Sequence, residues 1–164
     1  MDYRDISRKV IIYSDGAARG NPGPAGAGAQ IKNVKGDVLA EVSEYLGETT
    51  NNVAEYRALI LALEQAVHYK PFRIEIRADS ELMVKQLNGE YKVKNMGLKP
   101  LYDRVKQLLA GCTSVEIKHI YRSENSAADE LANKAIDEFE NREEPQQQLP
   151  QKQPNDMPEQ GNLF

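Results

Sequence analysis

A single cysteine, Cys112, stands in the whole chain. That excludes an intramolecular disulfide framework and any cysteine-based zinc site. No run of about eighteen apolar residues occurs, so no membrane span is predicted. The N-terminus lacks the basic, apolar, small-residue order of a signal peptide. These absences predict an intracellular, cytoplasmic protein. An excess of positive charge is missing too: the net charge is −4, a poor first match to a nucleic-acid binder. The deficit is local, however. Residues 140–164 carry five acids (Glu140, Glu143, Glu144, Asp156, Glu159) against Arg142 and Lys152, or −3, which leaves residues 1–139 at −1. The acidity is mostly a property of the tail and leaves room for a local basic surface.

What is present suits one domain. Of 164 residues, 40% are hydrophobic, enough to build a real core. Beyond residue 140 the composition changes. "REEPQQQLPQKQPNDMPEQGNLF", from Arg142, holds four prolines and six glutamines and almost nothing able to pack. The expected division is a folded domain over 1–140 and a disordered Gln/Pro-rich tail over 141–164. Nothing in the sequence suggests more than a monomer.

Periodicity gives the order of elements. Val10–Tyr13 is a short β-branched and aromatic run that reads as a buried strand. It ends on Asp15 and gives way to a permissive loop, "GAARGNPGPAGAGA". "GAGAQIKNVKGDVLAEVSEYLG" reads as two strands with a turn at Lys35-Gly36-Asp37. Tyr56, Leu59, Ile60, Leu63 and Val67 share one helical face within residues 52–68. "FRIEIRA" alternates as a strand, and "SELMVKQLN" is a short helix closed by Gly89. A helix through Leu98–Leu109, a strand "SVEIKHIYR" and a final helix over residues 126–139 complete the chain. The order is βββαβααβα, an α/β domain whose first half is linked by hairpins.

Four acids fall at the ends of these elements. Asp15 closes the first strand and Asp79 follows the fourth. Glu55 falls in the first turn of the first helix and Asp129 in the first turn of the last. In open α/β sheets such positions converge on one crevice. Gathered carboxylates repel unless cations hold them, and the hard, oxygen-seeking Mg²⁺ is the natural candidate. Two such ions about 4 Å apart form the arrangement used for in-line phosphodiester cleavage. Each acid also has a plainer reading. Asn52-Val-Ala-Glu55 and Ser126-Ala-Ala-Asp129 approximate capping-box spacing, Asp79 suits an N-cap, and Asp15 suits an Asx turn. Those readings do not explain why all four share one kind of location.

"YSDGAARGNPGPAGAG", "TTNNVAEYRALILAL", "IRADSELMVKQLNG" and "RSENSAADELANKA" resemble the four signature blocks of type 1 ribonuclease H, in family order, over roughly residues 8–139. The resemblance implies a ribonuclease H-like fold: a five-stranded mixed sheet, three antiparallel strands followed by parallel ones, flanked by helices. It implies cleavage of the RNA strand of RNA–DNA hybrids with two Mg²⁺ ions, for which Mn²⁺ substitutes, leaving 5′-phosphate and 3′-hydroxyl ends. The quartet becomes Asp15, Glu55, Asp79 and Asp129, with Asp15 bridging both metals. Asp129 then helps hold the water-activating ion, and Glu55 and Asp79 the one on the leaving-group side. Gly16, Ala17 and Asn21 face the RNA minor groove, where the 2′-hydroxyl marks RNA. Asn51 and Asn52 join them there, and Thr50 meets a phosphate. Two other functions fit less well: a non-catalytic hybrid-binding module has no need of four repelling acids, and an integrase-like core lacks the "TTNN" block and glycine loop.

Three features depart from the best-known bacterial pattern or lie outside it. The long basic, Trp-rich insertion is replaced by "NGEYKVKNMGLKP", and the chain has no tryptophan. Lys85, Lys92, Lys94 and Lys99 against Glu90 still give +3 over residues 85–99, a candidate DNA-strand surface interleaved with Tyr91. His119 stands ten residues before Asp129, at the spacing of a catalytic-loop histidine, but inside an alternating strand. "IYRSENSAAD" instead resembles the pattern of shorter family members, which points to Arg122 as the group near the scissile phosphate. Finally, "QGNLF" ends the tail on two apolar residues. Gln160, Leu163 and Phe164 look like the short peptides that dock into sliding clamps of DNA replication.

Overall fold

A computed structural model describes residues 8–148. Gln160, Leu163 and Phe164, with most of the tail, lie outside the described residues. Five strands form one sheet: β1 (Lys9–Ala18), β2 (Gly23–Asn33), β3 (Val38–Thr49), β4 (Arg73–Ala78) and β5 (Ser114–His119). Their spatial order is β3-β2-β1-β4-β5. β1, β2 and β3 pair antiparallel; β4 runs parallel to β1, and β5 parallel to β4. The mixed sheet implied by the resemblance is the one observed. Four α-helices flank it: α1 (Asn51–Ala66), α2 (Glu81–Leu87), α3 (Lys99–Leu109) and α4 (Ser126–Gln148). No described helix is long and apolar enough to cross a membrane.

The core follows from strand alternation. Val10, Ile12, Ile31, Ile74 and Ile76 are buried in the sheet, as are Leu59 and Leu63 of α1 and Val105 of α3. The other sheet face is half covered. α4 lies mainly over β2, β3 and β1. It sits close because the strand beneath it has no side chains at two points. A Cβ on Gly28 would lie 2.1 Å from the Ala128 carbonyl oxygen, and one on Gly26 would lie 2.2 Å from that of Ala132.

Two expected boundaries move. β1 does not stop at Tyr13, and the glycine-rich stretch is mostly ladder: β1 runs to Ala18 and β2 begins at Gly23, leaving only residues 19–22 as the connection. Glycine and alanine are poor strand formers alone, but pairing and closely approaching helices override that preference. The last helix does not end near residue 140; α4 continues to Gln148.

Candidate active site

The acids come together in the middle of the sheet, toward the C-terminal ends of the parallel strands β1 and β4. Asp15 lies within β1, paired with Gly28 of β2, and Asp79 directly follows the last residue of β4. Glu55 comes from α1, one turn later than its sequence position suggested, because the helix starts at Asn51. Carboxylate oxygens of Asp15, Glu55 and Asp79 lie within 4.8 Å of one another. Asp129, in the first turn of α4, lines one cleft with these three, and its charge acts on Asp15.

The plainer readings of Glu55, Asp79 and Asp15 do not hold. Thr50 caps α1, its hydroxyl accepting from the Val53 amide at 3.3 Å, so Glu55 is not a capping residue. Ser80 caps α2, accepting from the Met83 amide at 3.2 Å, which frees Asp79. Asp15 sits in a strand ladder and not in an Asx turn.

Packing explains how the quartet converges. A Cβ on Gly16 would lie 2.2 Å from the Ala54 carbonyl carbon and 2.4 Å from the Glu55 amide nitrogen, so only glycine lets α1 bring Glu55 beside Asp15. On the other face, Gly28, the strand partner of Asp15, lets α4 descend until Asp129 is level with it. Three residues passed over by sequence reasoning hold this arrangement. The side-chain amide of buried Asn125 donates to the Ser14 carbonyl at 2.9 Å, while the backbone carbonyl of Asn125 accepts from the Asp129 amide at 3.1 Å. Asn133 donates to the Asp129 carbonyl at 3.0 Å and its carboxylate at 3.3 Å. Arg19 in turn donates to the Asn133 side chain at 3.2 Å and bridges to Asp137 and Glu140, both at 2.7 Å. The only sequence signals were an asparagine inside a quoted pattern and a lone arginine in the glycine stretch.

Crowded, buried acids resist ionisation. Burial first, then the charge of Asp79, push the Asp15 carboxyl from 3.8 up to about 8. Glu55 is also pushed well up, by burial and next by Asp15, against a hydrogen bond from the Gly16 amide. Glu55 Oε2 is buried with no hydrogen-bond partner among the described residues. Close oxygens, a pent-up negative charge and an orphan acceptor fit a divalent cation.

The acids open into a cleft of about 510 Å³ that Asn51, His119 and Arg122 also line. Arg122 Nη2 stands 3.8 Å from Asp129 Oδ1, its side chain 82% exposed. His119 is the last residue of β5, as expected of a strand residue, yet that end opens on the cleft, so strand membership does not remove it from the site. Gly16 and Ala17 line the cleft too. Exposed Asn21 accepts from the Asn51 amide at 3.0 Å, placing Asn21, Asn51 and Asn52 at one corner. The candidate basic surface lies apart from the cleft. Lys85 is paired with Glu81 at 2.9 Å, and exposed Lys92 and Lys94 sit in the irregular segment between α2 and α3.

Comparison with known proteins agrees with this geometry. Residues 13–135 match the family described as reverse transcriptase-like. The ribonuclease HI of Halobacterium salinarum is 42% identical over 134 residues, 82% of this chain and 67% of that protein. A bifunctional protein of Mycobacterium tuberculosis is 42% identical over 130 residues, 79% of this chain but only 36% of its own length. Among solved structures, a ribonuclease H1 from a compost metagenome in complex with an RNA/DNA hybrid superimposes with a TM-score of 0.76 at 47% identity, covering 79% of this chain and 98% of that one.

Proposed function

Because the chain belongs to the type 1 ribonuclease H family, we propose that it is an endoribonuclease that cuts the RNA strand of RNA–DNA hybrids. The observation that carries this reading is the convergence of Asp15, Glu55 and Asp79 within 4.8 Å, with Asp129 beside them, on an open cleft. Asp15, Glu55, Asp79 and Asp129 would hold two Mg²⁺ ions, or Mn²⁺ in their place. When bound, such ions supply Lewis acidity and a water activated for attack on phosphorus. The chain's own groups do the rest. Asp15, central to the quartet, sets the spacing of the charge that meets the phosphate. Arg122, at the rim, offers a guanidinium to the phosphoryl oxygens. The 5′-phosphate and 3′-hydroxyl products would follow from water attacking phosphorus in line with the departing 3′-oxygen. Gly16 and Ala17 present backbone to the RNA minor groove. Asn21, Asn51 and Asn52 present amides, and Thr50 retains a hydroxyl proton for a phosphate while capping α1. Lys85, Lys92 and Lys94 would meet the DNA strand.

The test is incubation with labelled hybrid, RNA duplex and DNA duplex in Mg²⁺ or Mn²⁺. Cutting confined to the RNA of the hybrid supports the reading, and an uncut hybrid overturns it. The cytoplasm is the matching location. A sliding clamp is the proposed partner of Gln160, Leu163 and Phe164: two apolar anchors and an amide on a Gln/Pro-rich segment suit reversible docking. Truncation after Pro158 should abolish clamp binding in a pull-down and leave hybrid cleavage intact.

A further inference from the structure

α4 leaves half of its sheet face bare. On that side, β4 and β5 carry no helix among the described residues. The exposed grid is rich in cations for a chain of net charge −4. Lys9 pairs with Glu75 at 3.1 Å, Arg77 with the same carboxylate at 2.5 Å, and Lys118 at 3.6 Å. Lys32 and Arg77 stand at 5.3 Å over the Tyr13 ring, and the Tyr13 hydroxyl is bonded to Arg77. Arg73 is opposite Lys9 in the ladder and joins the same face. Glu75 is buried, so it neutralises part of this charge from beneath and fixes the cations' direction. Exposed Glu116, its ladder partner, pairs with Lys118 at 3.5 Å. Five cations against these two acids leave the face net positive, with the Lys118 head reachable.

The geometry points to this face as a second binding surface for single-stranded nucleic acid continuing from the cleft, an inference that rests on the hybrid-cleaving reading. Charge complementarity favours a polyanion. Alternate residues on β4 lie about 6.6 Å apart, a repeat close to that of phosphates along an extended single strand. The face is also continuous with the site: Tyr13 lies two residues before Asp15 on β1, and Arg77 two residues before Asp79, which follows β4. The turn at residues 122–125 lies between the two. There Tyr13 and Lys32 share a cavity of about 180 Å³ with Glu124–Ala128. A strand leaving the cleft past that turn meets the cations next.

The test uses the full chain. In an Asp15→Asn background, which permits binding without cutting, fluorescence anisotropy compares a blunt hybrid with the same hybrid bearing a single-stranded extension. A Lys32→Gln/Arg73→Gln/Lys118→Gln variant keeps Lys9 and Arg77 for Glu75, and a thermal melt verifies its fold. The extension should tighten binding about fivefold with the native face and give little gain in the triple variant. The salt slope for the extended substrate should fall by about 2. An equal gain in both proteins, no gain in either, or displacement of the extension by polyglutamate with no salt-slope change overturns the inference. Cleavage of the blunt hybrid by the triple variant with native Asp15 should stay within about twofold of normal. Failure of the native chain to cut that hybrid strikes the ribonuclease reading alone.

Discussion

Arg122 and His119 share a rim and differ in chemistry. A guanidinium stays charged and forks onto two oxygens, whereas an imidazole can exchange a proton near neutrality. Arg122 already leans toward Asp129 at 3.8 Å, while the His119 ring meets Tyr121 edge-on at 6.2 Å. Arg122→Ala should therefore lower kcat more than His119→Ala does. Steady-state kinetics on one hybrid decides this, and a histidine variant slower by tenfold, about 1.4 kcal/mol in barrier, would reverse the assignment. At this scale the four acids were legible in sequence because each sits in a recognisable block. Their placing at element ends fits Asp79 and Asp129, whereas Asp15 lies inside β1 and Glu55 past the first turn of α1. Asn125, Asn133 and Arg19 were not: their roles depend on partners as far away as Ser14 and Glu140, a separation that no local pattern encodes.

Between elements, the site depends on how closely two helices approach the sheet. The stretch "GAGA" read as the start of a strand, which it is, but nothing in it announced that Gly26 and Gly28 admit the α4 backbone. The strand and helix order was legible from periodicity. The close approach was not, since a glycine beneath a helix and a glycine in a turn look alike until the helix is placed. Gly28→Ala puts a methyl 2.1 Å from the Ala128 carbonyl oxygen, a backbone atom that can yield only by moving α4. The cost should be about 1–3 kcal/mol of stability, as for other overpacked contacts. Because Asp129 follows Ala128, kcat should fall by more than that loss of stability explains, with KM little changed. Denaturant unfolding and kinetics at a temperature where the variant is fully folded test this together. A variant as destabilised but fully active would show that α4 can shift without carrying Asp129 off the quartet.

For the molecule as a whole, the quartet makes folding compete with ionisation. The unfolded chain releases the Asp15 proton near pH 3.8, whereas the folded chain keeps it to about 8. Glu55 departs from its ordinary 4.5 in the same direction. Between the two Asp15 values the native state binds more protons than the unfolded state, so metal-free stability declines as pH rises through that window. Below about pH 4 both states are protonated and these acids impose no penalty. A divalent cation replaces the protons with charge, so its stabilisation should grow with pH. Thermal melts in EDTA should thus show Tm falling between about pH 5 and pH 8. Mn²⁺ or Mg²⁺ should restore it at the upper end and do little at the lower. Asp15→Asn, which abolishes cleavage, should flatten the EDTA profile and raise Tm at pH 8, since it removes the most crowded charge while nearly preserving shape. A metal-free Tm that stays level or climbs over this range, or an asparagine variant less stable than the native chain at pH 8, would mean that the four acids are relieved by the protein itself and do not await a cation.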